Sequence, residues 1–298
     1  PPIYTQPATD SKPISTISEL FEQIKSDLSQ ASTLASANRI NKTYLNKNII
    51  DGFKARVHLY LGEYAEAEAS AAAARAGFSL NGSQYGSGFD DMSTDETMWA
   101  MAQTTDQSNY YYVAPHSFAD HENGAYQGTF INNDFVQLFS DTDVRNTFYH
   151  YYSTNTAAWF AWVTSKFTFA FDSDMIMMRV AEMMLIEAEA KARQGNDAAA
   201  AILLFTLQSE RDPSAVASGN TGASLIEEVM IERRKEMYCE LGVEWFDAKR
   251  TRSGITRTGN HRVFLDLDPD DKRFILCIPQ SEIDANEFID DSINSDRL

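Results

Sequence analysis

Cysteine, histidine, positive charge and long apolar runs are all scarce in this chain, and each shortage removes a class of function. Two cysteines, Cys239 and Cys277, occur in 298 residues. They have neither zinc-ligand nor redox spacing, and two buried thiols or a bridge between them both fit. The five histidines, His58, His116, His121, His150 and His261, include no His-Glu-x-x-His and no His-x-His pair. His116, Asp120, His121 and Glu122 form the one local set with metal-ligand chemistry, and a polar surface loop explains them more simply. Asp268, Asp270 and Asp271 lack the Gly and the terminal Glu of a calcium loop. No metal and no cofactor is expected. Lys and Arg number 25 against 43 Asp and Glu, a net charge of -18, which argues against a nucleic-acid partner because phosphate binding needs clustered cations. No apolar stretch approaches the ~20 residues of a membrane-spanning helix, and the opening PPIYTQPATDSKP is neither a signal nor a transit peptide. Nucleophile-elbow, P-loop and dinucleotide-binding patterns are absent too. Catalysis has no positive signature, and the chain is read as a non-enzyme.

What is present is a large apolar fraction with helical spacing. Hydrophobic residues make up 43% and aromatics 12% of the chain, enough for a sizeable core without a disulfide or a metal. Thr16 and Glu19 form a capping box ahead of Ile17, Leu20, Phe21, Ile24, Leu28 and Ala31 on one helix face. A second helix carries Ile49, Ile50, Phe53, Val57, Tyr60 and Leu61 and ends near Gly62. A third runs from Tyr64 through an Ala-rich stretch and stops by Gly77. Leu61-Gly62-Glu63-Tyr64-Ala65-Glu66-Ala67 resembles the turn of a tetratricopeptide repeat, and Gln194 to Ala200 is a weaker echo. A tandem array repeats every ~34 residues, so these copies read as helix pairs separated by an insertion.

Two later helices are expected. One spans Met175 to Gln194, capped by Asp172 or Asp174, with Met177, Ala181, Met184, Leu185, Ala188 and Ala192 as its buried stripe. Glu187 with Lys191 and Glu189 with Arg193 are i,i+4 pairs on it. The other starts at a Ser224/Glu227 capping box and buries Ile226, Met230, Met237 and Leu241. Glu228, Glu232, Arg233, Arg234, Lys235, Glu236 and Glu240 are then left on its outer surface as lateral ion pairs. Paired charge of this kind reads as structural, not as a glycosidase acid and base.

These segments carry a family resemblance. Glu232-Arg233-Arg234-Lys235-Glu236, Glu240-Leu241-Gly242 and Trp245-Phe246-Asp247-Ala248-Lys249-Arg250 resemble the C-terminal signature of the SusD/RagB family of bacterial outer-membrane nutrient-binding lipoproteins. Arg179 to Ala190, Ile278 to Ile283 with Asn286, Glu96 to Trp99, and Asp143-Val144-Arg145 resemble its other motifs. Glu244 stands where the family commonly has Arg, and Glu287 where it has Pro. The resemblance implies a mostly α, SusD-like fold in which tetratricopeptide-like helix pairs form a scaffold with a long loop-rich insertion. On that reading residues 1–298 are a single domain, with a helical repeat part at 1–80, the insertion at 81–174 and a C-terminal helical part at 175–298. Family members are usually longer and begin with an acylated Cys. The chain therefore reads as a fragment or a short member, attached to a membrane only through an N-terminal lipid outside it.

The insertion is where ligand chemistry concentrates. Periodicity breaks down between Asn81 and Asp174, where Gly, Ser, Asn, Asp and Tyr dominate, apart from short strand candidates at Thr97–Ala102 and Lys166–Phe171. Flat rings beside amides and carboxylates suit sugars, and they suit a core or a protein interface as well. Trp99 and the set Phe167, Phe169, Phe171 read as core. Tyr110, Tyr111, Tyr112, His116, Tyr126, Trp159 and Trp162 are the candidate ligand-binding residues. The resemblance implies non-catalytic binding of a nutrient, an oligosaccharide or polysaccharide first, at the outer-membrane surface for delivery to a SusC-like TonB-dependent transporter. A tetratricopeptide-type module that binds only protein is the alternative.

Overall fold

The computed structural model describes residues 1–82, 88–106, 118–121 and 128–296. Its first helix, α1 (Ile17–Leu34), begins at the expected capping box: the Thr16 hydroxyl accepts the Glu19 amide, and the Glu19 carboxylate accepts the Thr16 amide. Helix α2 (Lys47–Leu61) is capped by Asn46 and ends at Gly62, whose φ of 75° is the left-handed value that favours glycine. The chain then reverses into α3 (Tyr64–Ala74), which buries Ala67, Ala71 and Ala74 against α2. Small side chains let the two backbones approach closely. A second hairpin repeats the arrangement: α5 (Val180–Arg193) turns at Gly195, φ 77°, into α6 (Asp197–Arg211). Both tetratricopeptide echoes are thus helix hairpins, and α3 packs on α5 to join them. Between them lies the shortest helix, α4 (Asn133–Val136).

Helix α5 is the centre of the scaffold, and it differs from the expected helix in two ways. Every residue from Val180 to Ala190 is buried, because α2, α3, α6 and α7 (Gly222–Met237) all pack around it. It also starts at Val180, not Met175. Met175–Arg179 is strand β4, paired antiparallel with β1 (Thr97–Met101) in a register that sets Thr97 opposite Arg179 and Ala100 opposite Ile176. A short apolar run has no period of its own, and the β1 edge decides its state. Asp172 and Asp174 consequently cap nothing; the Asp174 carboxylate accepts the Met92 and Gln103 amides instead.

Three further expectations change. The strand expected at Lys166–Phe171 is displaced to β3 (Trp162–Thr164), which pairs with β2 (Phe148–His150). Past Phe167 the Ser173 hydroxyl accepts the Ala170 amide and donates to the Thr168 carbonyl, so the chain turns. Phe167 is therefore core, while Phe171 is 46% exposed. Helix α7 starts at Gly222, whose amide donates to Asp197 at the start of α6, and no Ser224 capping box forms. Finally, both cysteines are free thiols, Cys239 half-buried and Cys277 exposed.

The largest correction concerns the charges of α7. Its buried face is Leu225, Val229, Glu232, Arg233, Glu236 and Met237, so half of the inward set is ionic. The fully buried Glu236 carboxylate accepts from Arg145 (3.1 Å), Arg179 (2.9 Å) and Arg211 (2.9 and 3.1 Å). Glu96 takes Arg211 through two bonds of 2.6 and 2.8 Å, and Glu240 takes Arg179 at 2.8 and 2.9 Å. Asp143 and Glu232 complete Arg145, with Lys235 at 3.0 Å from Asp143. Lys166, also fully buried, donates to the carbonyls of Glu236 and Tyr238 and to Glu240. Five cations thereby face five carboxylates, and a buried charge is tolerable only with such neutralisation. A second cluster joins Glu189 of α5 to Arg193 and Arg250, and Arg250 and Arg233 to Asp247.

Past α7 the backbone turns a tight corner. Cys239, Leu241 and Gly242 have φ of 60°, 49° and 71°, and left-handed backbone costs a non-glycine residue on the order of 1 kcal/mol. Lys166 holds this corner from inside. Burial pushes the Cys239 thiol up to about 11. The chain then enters α8 (Val243–Thr251), the pair β5 (Ile255–Thr256) and β6 (Asp266–Leu267), and the terminal helix α9 (Gln280–Ala285).

Two outcomes are expected. Glu236→Ala leaves three buried arginines short of a counter-ion, which costs about 3–5 kcal/mol and lowers the urea midpoint followed by circular dichroism. Burial alone would raise the carboxyls of Glu236, Glu240 and Asp143, yet their arginine and lysine partners outweigh it and hold all three below the ordinary range. Depressed folded-state values mean that their stabilisation is complete above the unfolded values, ordinarily 4.5 for Glu, and is lost as pH falls through the folded ones. Unfolding free energy measured against pH should therefore fall increasingly steeply below about pH 4.5; a flat profile down to pH 3 would contradict the network.

Candidate functional site

Among its described residues, the aromatic-rich insertion presents an exposed set of rings around Trp159. Trp159 lies in a turn formed by local polar groups: the Ser153 hydroxyl accepts the Asn155 amide, the Asn155 side chain accepts the Ala157 amide, and the Ala161 amide reaches the Ala158 carbonyl. Such a turn throws the intervening side chain outward. Asn260, buried and more than a hundred residues away, fixes the turn by donating to the carbonyls of Thr156 (3.3 Å) and Ala158 (2.8 Å).

Trp159 is 38% exposed, and beside it lie Tyr152 and Tyr151, 42% and 52% exposed. Phe130 joins them: its ring meets Trp159 edge-on at 5.1 Å and Tyr152 at 5.7 Å. Tyr151 and Tyr152 are in edge contact at 4.7 Å, and Phe160 braces Trp159 at 5.1 Å. The Arg262 guanidinium sits 5.0 Å over the Trp159 ring, a cation–π distance. Burial and the neighbouring Tyr151 push the Tyr152 phenol above its ordinary value, so it stays protonated and can donate. The rim thus offers flat apolar faces, phenol hydroxyls and a guanidinium on a single surface.

Behind the rim the groups are committed. The buried His121 ring packs on Phe130 at 4.9 Å, and its Nδ1 is 2.8 Å from the Ala119 carbonyl. Burial lowers its pKa, so at neutral pH it is an uncharged imidazole. Asp120 accepts the Phe169 amide at 2.6 Å. Both members of the candidate metal set that the structure describes are therefore held inside, and no group of three His, Cys, Asp or Glu placed to hold a metal occurs among the described residues. Asp270 and Asp271 pair with Arg252 and Arg273.

Of the seven candidate residues, Tyr110, Tyr111, Tyr112, His116 and Tyr126 lie outside the described residues. Trp159 is on the rim. Trp162 is not beside it: as part of β3 it donates its indole N–H to Asn133 at 3.0 Å, lies against the His150 ring at 3.9 Å and packs with the cluster of Ile131, Phe135, Phe139 and Tyr238. Tyr151 and Tyr152 were visible in the sequence as part of an aromatic run. Phe130, Asn260 and Arg262 were not, since nothing local links them to Trp159.

The model of the SusD family matches residues 81–291. Among solved structures, a SusD-like carbohydrate binding protein from Bacteroides vulgatus is 28% identical and superposes with a TM-score of 0.85, covering 97% of this chain and 69% of that one. A SusD superfamily protein from Bacteroides thetaiotaomicron gives 0.82 at 24% identity, with 97% and 69% covered. One from Bacteroides fragilis gives 0.75 at 19%, with 94% and 65% covered. At these lower identities the likeness is one of fold. No curated protein matches the chain.

The two tryptophans should separate by stability. Trp162→Ala removes a half-buried ring with a hydrogen bond and is expected to cost about 2–3 kcal/mol, somewhat less than a fully buried aromatic. Trp159→Ala should cost about 1 kcal/mol, the worth of its ring-edge contacts. Urea melts of both variants check the order.

Proposed function

The chain belongs to the SusD family, and from that premise we propose that it binds a glycan without catalysis, through the rim built around Trp159. The supporting observation is the outward turn that Asn260 pins, because it holds a large indole face in solvent where burial would otherwise claim it. An indole face covers the C–H face of a pyranose, while the Tyr151 and Tyr152 hydroxyls and Arg262 offer partners to its hydroxyls. The B. vulgatus relative is described as carbohydrate binding, which favours a sugar over other flat ligands. Glu182 pairs with Arg56, Glu187 with Arg75, and Glu232 with Arg145, so these three carboxylates serve ion pairs.

The same reading places the protein at the outer face of an outer membrane, held by a lipid outside this chain, as a lid that delivers glycan to a SusC-like TonB-dependent transporter. Helix α1 supports a docking role, since it buries no residue completely and leaves Ile17 73% and Leu34 85% exposed. No described helix is long and apolar enough to cross a membrane.

A glycan array followed by calorimetry tests the proposal. At least one oligosaccharide should bind, and Trp159→Ala should weaken it tenfold or more, the loss expected of a central aromatic contact. Release of reducing ends during incubation would refute the non-catalytic role. Copurification with a barrel transporter in the absence of any glycan binding would leave the lid and remove the sugar site.

A further inference from the structure

Beside the loop that carries Asn260 and Arg262, a cleft of about 500 Å³ opens between α7, α8 and the loop that follows α8 through β5 to His261. Its volume falls in the range of small-molecule sites, and its lining combines two chemistries. Met230, Ile231, Ile255 and the Trp245 ring supply apolar surface; Trp245 is backed by Phe274 at 4.9 Å and 36°, so the indole is a braced surface. Arg234, Arg257 and His261 supply nitrogen donors. These three are near enough to act on one another, since burial and the charges of Arg257 and Arg234 together lower the His261 pKa despite Asp134 nearby.

The counter-charges are unevenly placed. Glu244 holds Arg234 at 2.8 Å, Asp247 is taken by Arg233 and Arg250, and Asp134 accepts the Thr258 hydroxyl. Glu227 also lines the cleft, but it precedes Arg234 by seven residues on α7, about 10 Å along the helix axis. Arg257 is exposed and its guanidinium makes no ion pair or hydrogen bond with any described residue. In a chain of net charge -18, an uncompensated guanidinium facing a cleft is a local reversal of the overall field, and such reversals select anions.

We infer that this cleft is a second ligand site, distinct from the Trp159 rim, that takes a monosaccharide-sized sugar acid with its carboxylate on Arg257 and the His261 imidazole and its ring on the Trp245 wall. Bidentate carboxylate binding suits the guanidinium fork, and a neutral imidazole N–H adds a donor. The choice of a sugar among carboxylic acids rests on the glycan-binding reading; the requirement for a carboxylate does not.

Calorimetry on the whole chain with glucuronate, galacturonate, glucose and succinate tests it. A uronate should bind at least tenfold more tightly than glucose, Arg257→Gln should remove that preference, and Trp159→Ala should leave it unchanged. Arg257 is on the surface and lies outside the buried networks, so its variant should keep the wild-type melting temperature. Equal binding of glucuronate and glucose, no uronate binding, or loss of binding in Trp159→Ala with retention in Arg257→Gln would each overturn the assignment. Succinate binding in place of both uronates would overturn the sugar. Failure of every neutral glycan on the array would remove the rim reading, while Arg257-dependent uronate binding would still stand.

Discussion

The rest of the structure depends on one carboxylate. Glu236 sits inside the protein with three guanidinium groups around it, and each comes from a different part of the chain: Arg145 from the insertion, Arg179 from the end of β4, Arg211 from the last turn of α6. Glu96, just ahead of β1, completes two of these arginines. Four segments distant in sequence must therefore reach one point in one register before Glu236 and its three arginines are all neutralised. Replacing such a cluster by packed apolar residues is often neutral or favourable for stability, so its value here is selectivity. A helix α7 rotated by one residue, or a β4 slipped along β1, leaves buried charge unpaired.

Much of the scaffold was legible because its signals are local. The Thr16 box and Gly62 each act within a few residues, and α1, α2 and α3 are where the sequence places them. The charges of α7 read correctly as structural ion pairs, but their inward direction is hidden for the converse reason. Periodicity assumes that charge faces water, and nothing within Ser224–Arg252 reveals that Arg145, Arg179 and Arg211 will arrive from elsewhere to take Glu232 and Glu236 inward. The same non-locality governs the candidate site: an aromatic run marks Tyr151, Tyr152 and Trp159, but the Asn260 pin and the Arg262 cation come from the C-terminal loop. Glu244, which departs from the family signature, keeps a surface pair with Arg234.

The buried charges of the family motifs and the Trp159 rim occupy different places. Glu96, Asp143, Arg145, Arg179, Glu236 and Glu240 are among the residues that carried the resemblance, and all six are interior. Trp159, Tyr151, Tyr152 and Arg262 lie outside the network, on turns where substitution costs little folding energy. A fold divided in this way can exchange its rim residues, and with them its ligand, while the lock that defines the family stays unchanged. This separation explains how the motifs identified the family while saying nothing about the sugar.

The corner after α7 has one more implication. Three oxygens, two carbonyls and a carboxylate, converge on the Lys166 nitrogen, which needs all three protons of an ammonium to satisfy them. Many proteins shape such a corner around a calcium ion, and their loops loosen when the ion is chelated or diluted. Here the cation is a covalent part of the chain and travels with it. Its occupancy is fixed at translation, so a chelator has nothing to remove from the corner.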